Sequence, residues 1–310
     1  MIDPCMVLEA VTSVTPVGVR LWDQVTGDVI RDGLSVTSYA AADSVRRVQT
    51  IDDGRQVVSV LARRVQAFPN RQGVYVLRNL PGLHSTESGE GDADYWRNEK
   101  TRSYVIEVVD TYRRFQPFSF SAELPAPGLF SLNCLSVSPS LDTTPSALLL
   151  YSAPGRIAPG AMAVLHANIW DLEEKVPAAW SVLEARIAGQ PPVRGFADLY
   201  GRVVLIFPYP EPVNTALSSP GAPLGATAIP LIRQQWPVQL LAAYTRLRPT
   251  PTMPDLCAIF SQQAAGLWMD STLKRPFTGA TLKFGQELVV RSKDHALPSK
   301  LLITPAVSPP

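Results

Sequence analysis

The chain is 310 residues long, a length that supplies about two domains, each large enough to bury its own core. Lysine and arginine number 28 against 27 aspartates and glutamates, a formal charge of +1, so no global field favours nucleic acid or an anionic membrane as the main partner. Cys5, Cys134 and Cys257 lie far apart with no C-x-x-C spacing, which fits neither a disulfide framework nor a zinc site and predicts reduced thiols. Residues 1–10 carry Asp3 and Glu9 but no basic flank and no apolar run of signal-peptide length, which predicts synthesis and assembly in the cytoplasm. No window reaches the ~18 uncharged apolar residues of a membrane span.

The 29 prolines sit at the ends of β-rich runs and in connectors, as punctuation in an all-β protein. In chain order, strands are predicted near 7–14, 17–22, 34–39, 46–51, 56–65, 73–77, 104–109 and 118–124. Alternation supports them: Tyr104, Ile106 and Val108 share one face and Val105, Glu107 and Val109 the other. These eight form a first β-sandwich over 1–125. Within it, Ser85 to Asp94 is a polar, acidic stretch that reads as an exposed excursion. A Pro-rich linker, 126–146, precedes a second sandwich over 147–310, with strands near 147–151, 161–170, 181–187, 203–207, 239–244, 281–290 and 300–303. Its loop 212–230 holds four prolines and no charge. One helix is predicted over 254–268, where Pro254 suits a first turn and Leu256, Ile259, Phe260 and Leu267 recur at helical spacing; it would cover an open edge or end of the second sandwich.

The two halves echo each other. Trp22-Asp23, then Val29, then Asn70-x-x-Gly73-x-Tyr75-Val76-Leu77 closing on Leu80-Pro81 is answered by Trp170-Asp171, then Val176, then Asp198-x-x-Gly201-x-Val203-Val204-Leu205 closing on Phe207-Pro208. Landmarks recurring in one order indicate two copies of one module. The turn explains the motif: Asn70 or Asp198 bonds the backbone two residues on, and Gly73 or Gly201 supplies a positive φ. Trp22 and Trp170, at equivalent repeat positions, are expected to pack in the two cores.

These residues resemble a known module. Gly18-Val19-Arg20-Leu21-Trp22-Asp23 with Gly27 and Val29, followed by Asn70-x-x-Gly73-x-Tyr75-x-Leu77-x-x-Leu80-Pro81-Gly82, is similar to the carboxypeptidase regulatory-like, or transthyretin-like, β-sandwich. Tyr104-x-Ile106-x-Val108-x-Asp110 with Arg114-Phe115-x-Pro117 resembles its closing strand. The second copy, from Trp180 through Asp198-x-x-Gly201-Arg202 to Phe207-Pro208-Tyr209-Pro210, is similar. Such tandem pairs, with a C-terminal segment like Phe284-Gly285-x-x-Leu288-x-Val290-Arg291, resemble proteins of phage-tail-like contractile injection systems. The resemblance implies a structural subunit, at the baseplate or another specialised position, in contact with baseplate, sheath or tube proteins. It is to the accessory sandwich of carboxypeptidases and not to their zinc-bearing catalytic domain.

The residues offer little chemistry. His84, His166 and His295 are isolated from carboxylates and cysteines at ligand spacing, and His166, inside a strand, reads as a packed or interface residue. Asp52-Asp53 and the acids between Glu87 and Asp94 do not follow a calcium-loop spacing and read as solvated loops. No G-x-S-x-G, H-E-x-x-H or phosphate loop is present. No enzyme activity, cofactor or metal is therefore expected, and contact chemistry is the remaining option. Tyr95-Trp96, at the base of the acidic stretch, is a candidate anchor for a partner protein or a stacking pair for a sugar. Met6, Val7 and Leu8 are candidates for adding a strand to a neighbour's sheet. Two readings stand: a structural subunit of a large assembly, and a soluble module that recognises a carbohydrate or a cell-surface protein.

Overall fold

A computed structural model describes residues 16–41, 63–83, 100–126, 128–132, 134, 148–212, 230–247, 253–272, 275–293 and 299–305. The described chain is all-β apart from one short α-helix and one 3-10 turn. The first sandwich contains β1 (Val17–Asp23), β2 (Leu34–Ala40), β3 (Val65–Gln66), β4 (Phe68–Pro69), β5 (Val74–Leu77), β6 (Arg102–Asp110), β7 (Phe118–Leu124) and β8 (Leu148–Leu150). They form two four-stranded sheets, in the orders β4-β5-β1-β8 and β3-β2-β6-β7.

Period-2 alternation places one face of each strand in the space between the sheets. Val17, Val19 and Leu21 of β1 meet Tyr104, Ile106 and Val108 of β6 and Phe118, Phe120 and Leu124 of β7, none more than 1% exposed. The strand at 148–150, expected to open the second sandwich, lies parallel to β1 in the first, with Leu21 opposite Leu148 and Asp23 opposite Leu150. Its Leu-Leu-Leu run carries no directional information of its own; the free edge of β1 supplied the partner. Trp22 and Trp170 are likewise corrected. Leu21 and Ile169 take the core positions, so alternation turns each following tryptophan to the outer face, where both are only partly buried.

The second sandwich contains β9 (Met162–Asp171), β10 (Val176–Pro177), β11 (Val182–Ile187), β12 (Val193–Phe196), β13 (Arg202–Pro208), β14 (Gln235–Ala243), α1 (Leu256–Phe260), β15 (Ala264–Trp268), β16 (Ala280–Lys283), β17 (Leu288–Val290) and β18 (Leu301–Thr304). Its ten strands are hydrogen-bonded into one folded-over sheet. β9 runs between antiparallel β13 on one edge and parallel β17 and β18 on the other. The facing layer is β12-β11-β14-β16, and β15 bridges the layers by pairing with both β14 and β18. Leu165 and Ile169 of β9, Leu205 and Phe207 of β13, Leu183 of β11 and Trp236 and Val238 of β14 fill the space between.

The predicted helix 254–268 is shorter than expected. Asp255 caps it by accepting the Ala258 N–H at 2.8 Å, and it ends at Ser261 after five residues. Residues 264–268 instead become β15, with Leu267 opposite Ile303 and Trp268 opposite Leu302. Gly266 weakens a helix there, and β14 and β18 offer the segment a place in the sheet on both sides. The predicted strand 281–290 is also two strands, β16 and β17, separated by a turn in which Gly285 has φ 71°.

The helix does not cap the second sandwich. Leu256 and Ile259 are fully buried in the first hydrophobic core, with Val182 and Phe196 of the second sandwich. Tyr151, Phe196 and Phe260 meet there, with ring centroids 4.8–6.2 Å apart. Asp255 bridges Ser119 on the outer edge of β7, whose N–H donates to the Pro254 carbonyl at 2.9 Å. Cys134 and Cys257 form a disulfide across 123 residues of sequence, against the expectation of reduced thiols. The pairing has no sequence signature because the fold alone brings α1 beside the connector. Cys5 lies outside the described residues.

Candidate functional site

The Trp-Asp landmark is the end of an equivalent strand in each sandwich. After β1, the Asp23 carboxylate accepts the Val25 N–H at 2.9 Å and its carbonyl accepts the Gly27 N–H at 2.9 Å. After β9, the Asp171 carboxylate accepts the Glu173 N–H at 2.9 Å and its carbonyl accepts the Lys175 N–H at 3.0 Å. Each is an Asx turn. Each buried carboxylate also faces a guanidinium fork. Arg156 donates Nη1 and Nη2 to Asp23 at 2.8 and 2.5 Å, and Arg246 donates Nε and Nη2 to Asp171 at 2.7 and 3.1 Å. Burial alone would raise the Asp171 pKa, but the bonds from Arg246, the Glu174 and Glu173 amides and Tyr244 outweigh it and hold the carboxyl below its ordinary value. Burial, followed by the nearby Asp171 charge, pushes the Tyr244 hydroxyl up.

The second landmark is again one geometry built twice. Asn70 Oδ1 accepts the N–H groups of Gln72 and Val74, both at 2.9 Å, and the Asn70 carbonyl accepts the Gly73 N–H at 3.0 Å. Asp198 Oδ1 accepts those of Tyr200 and Arg202 at 2.8 and 2.9 Å, and the Asp198 carbonyl accepts the Gly201 N–H at 3.0 Å. The glycines have φ 76° and 75°. Their surroundings differ: a Cβ on Gly73 would meet Val29 Cγ1 at 2.5 Å, whereas one on Gly201 would meet the Ile169 carbonyl oxygen at 2.3 Å.

Between the sandwiches lies a groove of about 610 Å³. Its floor is the outer face of the β9 layer, where Asn168 stands opposite Arg202 and His166 lies between Val204 and Val289. Its walls are Tyr112 and Arg113, on the turn after β6, and residues 153–155 of the segment after β8. The turn is held by Asp110, whose carboxylate accepts the Arg114 N–H at 2.6 Å and two bonds from the Arg114 guanidinium. His166 Nε2 is 3.7 Å from the Glu287 carboxylate, and Arg202 pairs with Asp198 at 2.7 Å. Beside the groove, Val25, Ala158 and Met162 cover Val164, Val204 and Ile206 on the rest of that outer face, so the Asp23 turn is itself part of the joint.

Of the residues singled out in the sequence, His166 lies on the groove floor, while Met6, Val7, Leu8, Tyr95, Trp96, His84 and His295 fall outside the described residues, as do the predicted strands 7–14 and 46–51. Nearly all of the uncharged loop 212–230 does so too. Among the described residues no group of three or more metal-ligating side chains occurs, and no helix is long and apolar enough to cross a membrane. Sequence reasoning missed Arg156 and Arg246, because each lies 75 or more residues from the aspartate it serves. It also missed Arg113, whose left-handed φ of 59° no motif announces.

No family model matches the chain, and no curated protein matches it. Among solved structures, the shaft pilin SpaA of Lactobacillus rhamnosus GG is similar at 9% identity and a TM-score of 0.22, over 96% of this chain and 100% of the pilin chain. A mutant form of the same pilin aligns at 8% identity and a TM-score of 0.23, over 96% and 100% of the two chains. The minor pilin GBS52 of Streptococcus agalactiae aligns at 10% identity and a TM-score of 0.21, over 95% and 99%. At these scores the likeness carries no inference about function.

Proposed function

We propose that this chain is a non-enzymatic structural subunit of a phage-tail-like contractile injection particle, a baseplate or other specialised-position component that works through contacts with other subunits. One observation carries the mechanical part of the reading: the core of the first sandwich extends across the joint to take in residues of the second. Val182 and Phe196 of the second pack with Leu256, Ile259 and the interior of the first, and the Asp23–Arg156 pair, with side chains 5% and 8% exposed, ties the segment between them to β1. Two modules joined by apolar packing, with the segment between them fixed to the first by a buried ion pair, form a block with little freedom at the joint, in contrast to the more polar and mobile interfaces usual between domains. A block of this kind holds its neighbours at a set spacing and angle, which is the task of a scaffold subunit. The contractile-particle part rests on the resemblance of the tandem regulatory-like modules.

The test is composition. The chain is tagged in its native host, particles are separated by size on a gradient, and the fractions are analysed by mass spectrometry. The chain is expected to sediment with a megadalton particle containing sheath and tube proteins. A chain found only as a monodisperse protein, retained on a glycan or cell-surface array, would overturn this reading in favour of a recognition module.

A further inference from the structure

We infer that Cys134 and Cys257 are a redox-controlled modification site: the joint between the modules folds with both thiols free, and oxidation then locks it. The pair spans the two modules. Cys257 sits on α1, which belongs to the chain of the second sandwich between β14 and β15. Cys134 follows a stretch held to the first: the Phe130 N–H donates to the Gly18 carbonyl at 2.8 Å, Leu129 lies beside Gly18, and the Phe130 ring stacks on Phe120 at 5.2 Å. The main chain passes from the first module to the second once, between β8 and β9. The disulfide adds a second covalent crossing and closes a ring over 123 residues of sequence. A joint crossed once swings about that crossing whenever α1 leaves its seat, and a joint crossed twice does not.

Three features make the bond a late, reversible addition and not a condition of folding. First, α1 is seated without it: Leu256 and Ile259 are fully buried, Asp255 caps the Ala258 N–H, the Ser119 N–H donates to the Pro254 carbonyl at 2.9 Å, and Gln262 Nε2 donates to the Trp180 carbonyl at 2.7 Å. Second, that seating sets the two Cα atoms 5.5 Å apart, within the ordinary disulfide range, so the thiols meet without backbone movement. Third, both cysteines are only partly buried, so a small thiol or disulfide reaches the sulfurs, which is the setting of labile bridges. In the closing step the thiolate of one cysteine attacks oxidised glutathione and releases one glutathione; the thiolate of the other attacks the mixed disulfide and releases the second. Two electrons pass from the protein thiols to the glutathione disulfide, and the two thiol protons end on the two glutathiones released.

The test uses the full chain, equilibrated in mixtures of reduced and oxidised glutathione from cytosol-like to secretory-like ratios. Each sample is quenched with N-ethylmaleimide and read by peptide mass spectrometry, with amide hydrogen exchange measured in parallel. Cys134 and Cys257 should both carry the label at the reducing end and be linked at the oxidising end, with the chain folded throughout. The Ile259 and Ser261 amides, which donate to the Asp255 and Cys257 carbonyls, should exchange about tenfold or more faster in the dithiol form, while the Ile106 and Val108 amides of β6 keep their rates. Cys134→Ser should show the fast exchange at α1 at every ratio, and Cys5→Ser should leave the transition in place. A bond that persists at the reducing end, or a chain that unfolds there, would make the disulfide part of the fold and overturn the inference. So would thiols that stay labelled at the oxidising end, exchange at α1 that is equal in the two forms, or a transition abolished by Cys5→Ser.

Discussion

Asp23 and Asp171 end equivalent strands, make equivalent Asx turns and are both buried, yet their arginines come from different places. Arg246 follows β14 in the same sandwich as Asp171 and remains 38% exposed, reaching Glu173 as well at 2.6 Å. Arg156 comes from the segment between the sandwiches, is 8% exposed, and lies against the Phe115 ring at 4.8 Å. One copy of the motif secures its own loops, and the other anchors the segment between the modules to the first sandwich. The lesson is that a repeated turn with a buried acceptor is reusable: the source of the guanidinium determines whether the pair braces a module's own loops or the segment that leaves it.

The sharpest way to break this symmetry is to remove each arginine. Arg156→Ala should destabilise the protein by about 3–5 kcal/mol in urea unfolding, because it leaves a buried carboxylate without its counter-charge. Arg246→Ala should lose less, about 1–3 kcal/mol, since Asp171 keeps the amides of Glu173 and Glu174 and the Tyr244 hydroxyl. Equal losses would mean that the inter-module setting of Asp23 adds nothing.

The joint can be tested at its covalent tie. Reducing Cys134–Cys257, or replacing both residues by serine, should lower stability by about 2–4 kcal/mol and speed proteolysis near α1. Arg246→Ala should leave the proteolysis at that site unaltered. A disulfide whose loss changed neither stability nor cleavage would not be part of the joint.

The two glycine turns come next. Gly201→Ala should cost about 2–3 kcal/mol and Gly73→Ala about 1 kcal/mol, although both glycines have the same φ, because the first new methyl meets a carbonyl oxygen and the second a valine side chain that can move. Equal melting temperatures would show that backbone strain alone sets the cost.

The smallest effect is in acid. Asp171 and Glu184 have folded pKa values below their ordinary 3.8 and 4.5, Glu184 because Arg194 and Arg186 outweigh its burial. Groups depressed in this way contribute stability above their unfolded pKa values and lose it as the pH falls through the folded ones. Unfolding free energy should therefore decline below about pH 4, and Arg246→Ala should flatten that decline by releasing Asp171. An unchanged acid limb in Arg246→Ala would mean that Asp171 is held down by its amides and the Tyr244 hydroxyl without Arg246.

Much of the fold was legible in the sequence because it is local. Alternation at Tyr104, Ile106 and Val108 named their common face before any partner was known, and all three are buried. The strand positions near 17–22, 34–39, 118–124 and 203–207 correspond to β1, β2, β7 and β13, since β-branched and aromatic runs bounded by turn residues carry their own boundaries. The short apolar runs were not legible in this way. Leu148–Leu150 and Ala264–Trp268 each joined whichever edge was open, and an edge is a property of the assembled sheet.

The sequence by itself determined that this protein is all-β, that the Trp-Asp strand end and the Asn/Asp-x-x-Gly turn each occur twice, and where most of its core strands lie, because side-chain period and turn chemistry act over two to five residues. Only the tertiary structure decided that the core of the first sandwich takes in Val182 and Phe196 of the second, that Arg156 serves Asp23 and Arg246 serves Asp171, and that Cys134 meets Cys257. Those pairings join positions 75 to 133 residues apart. Nothing in residue type or spacing selects one partner over another at such separations, and packing geometry makes the choice.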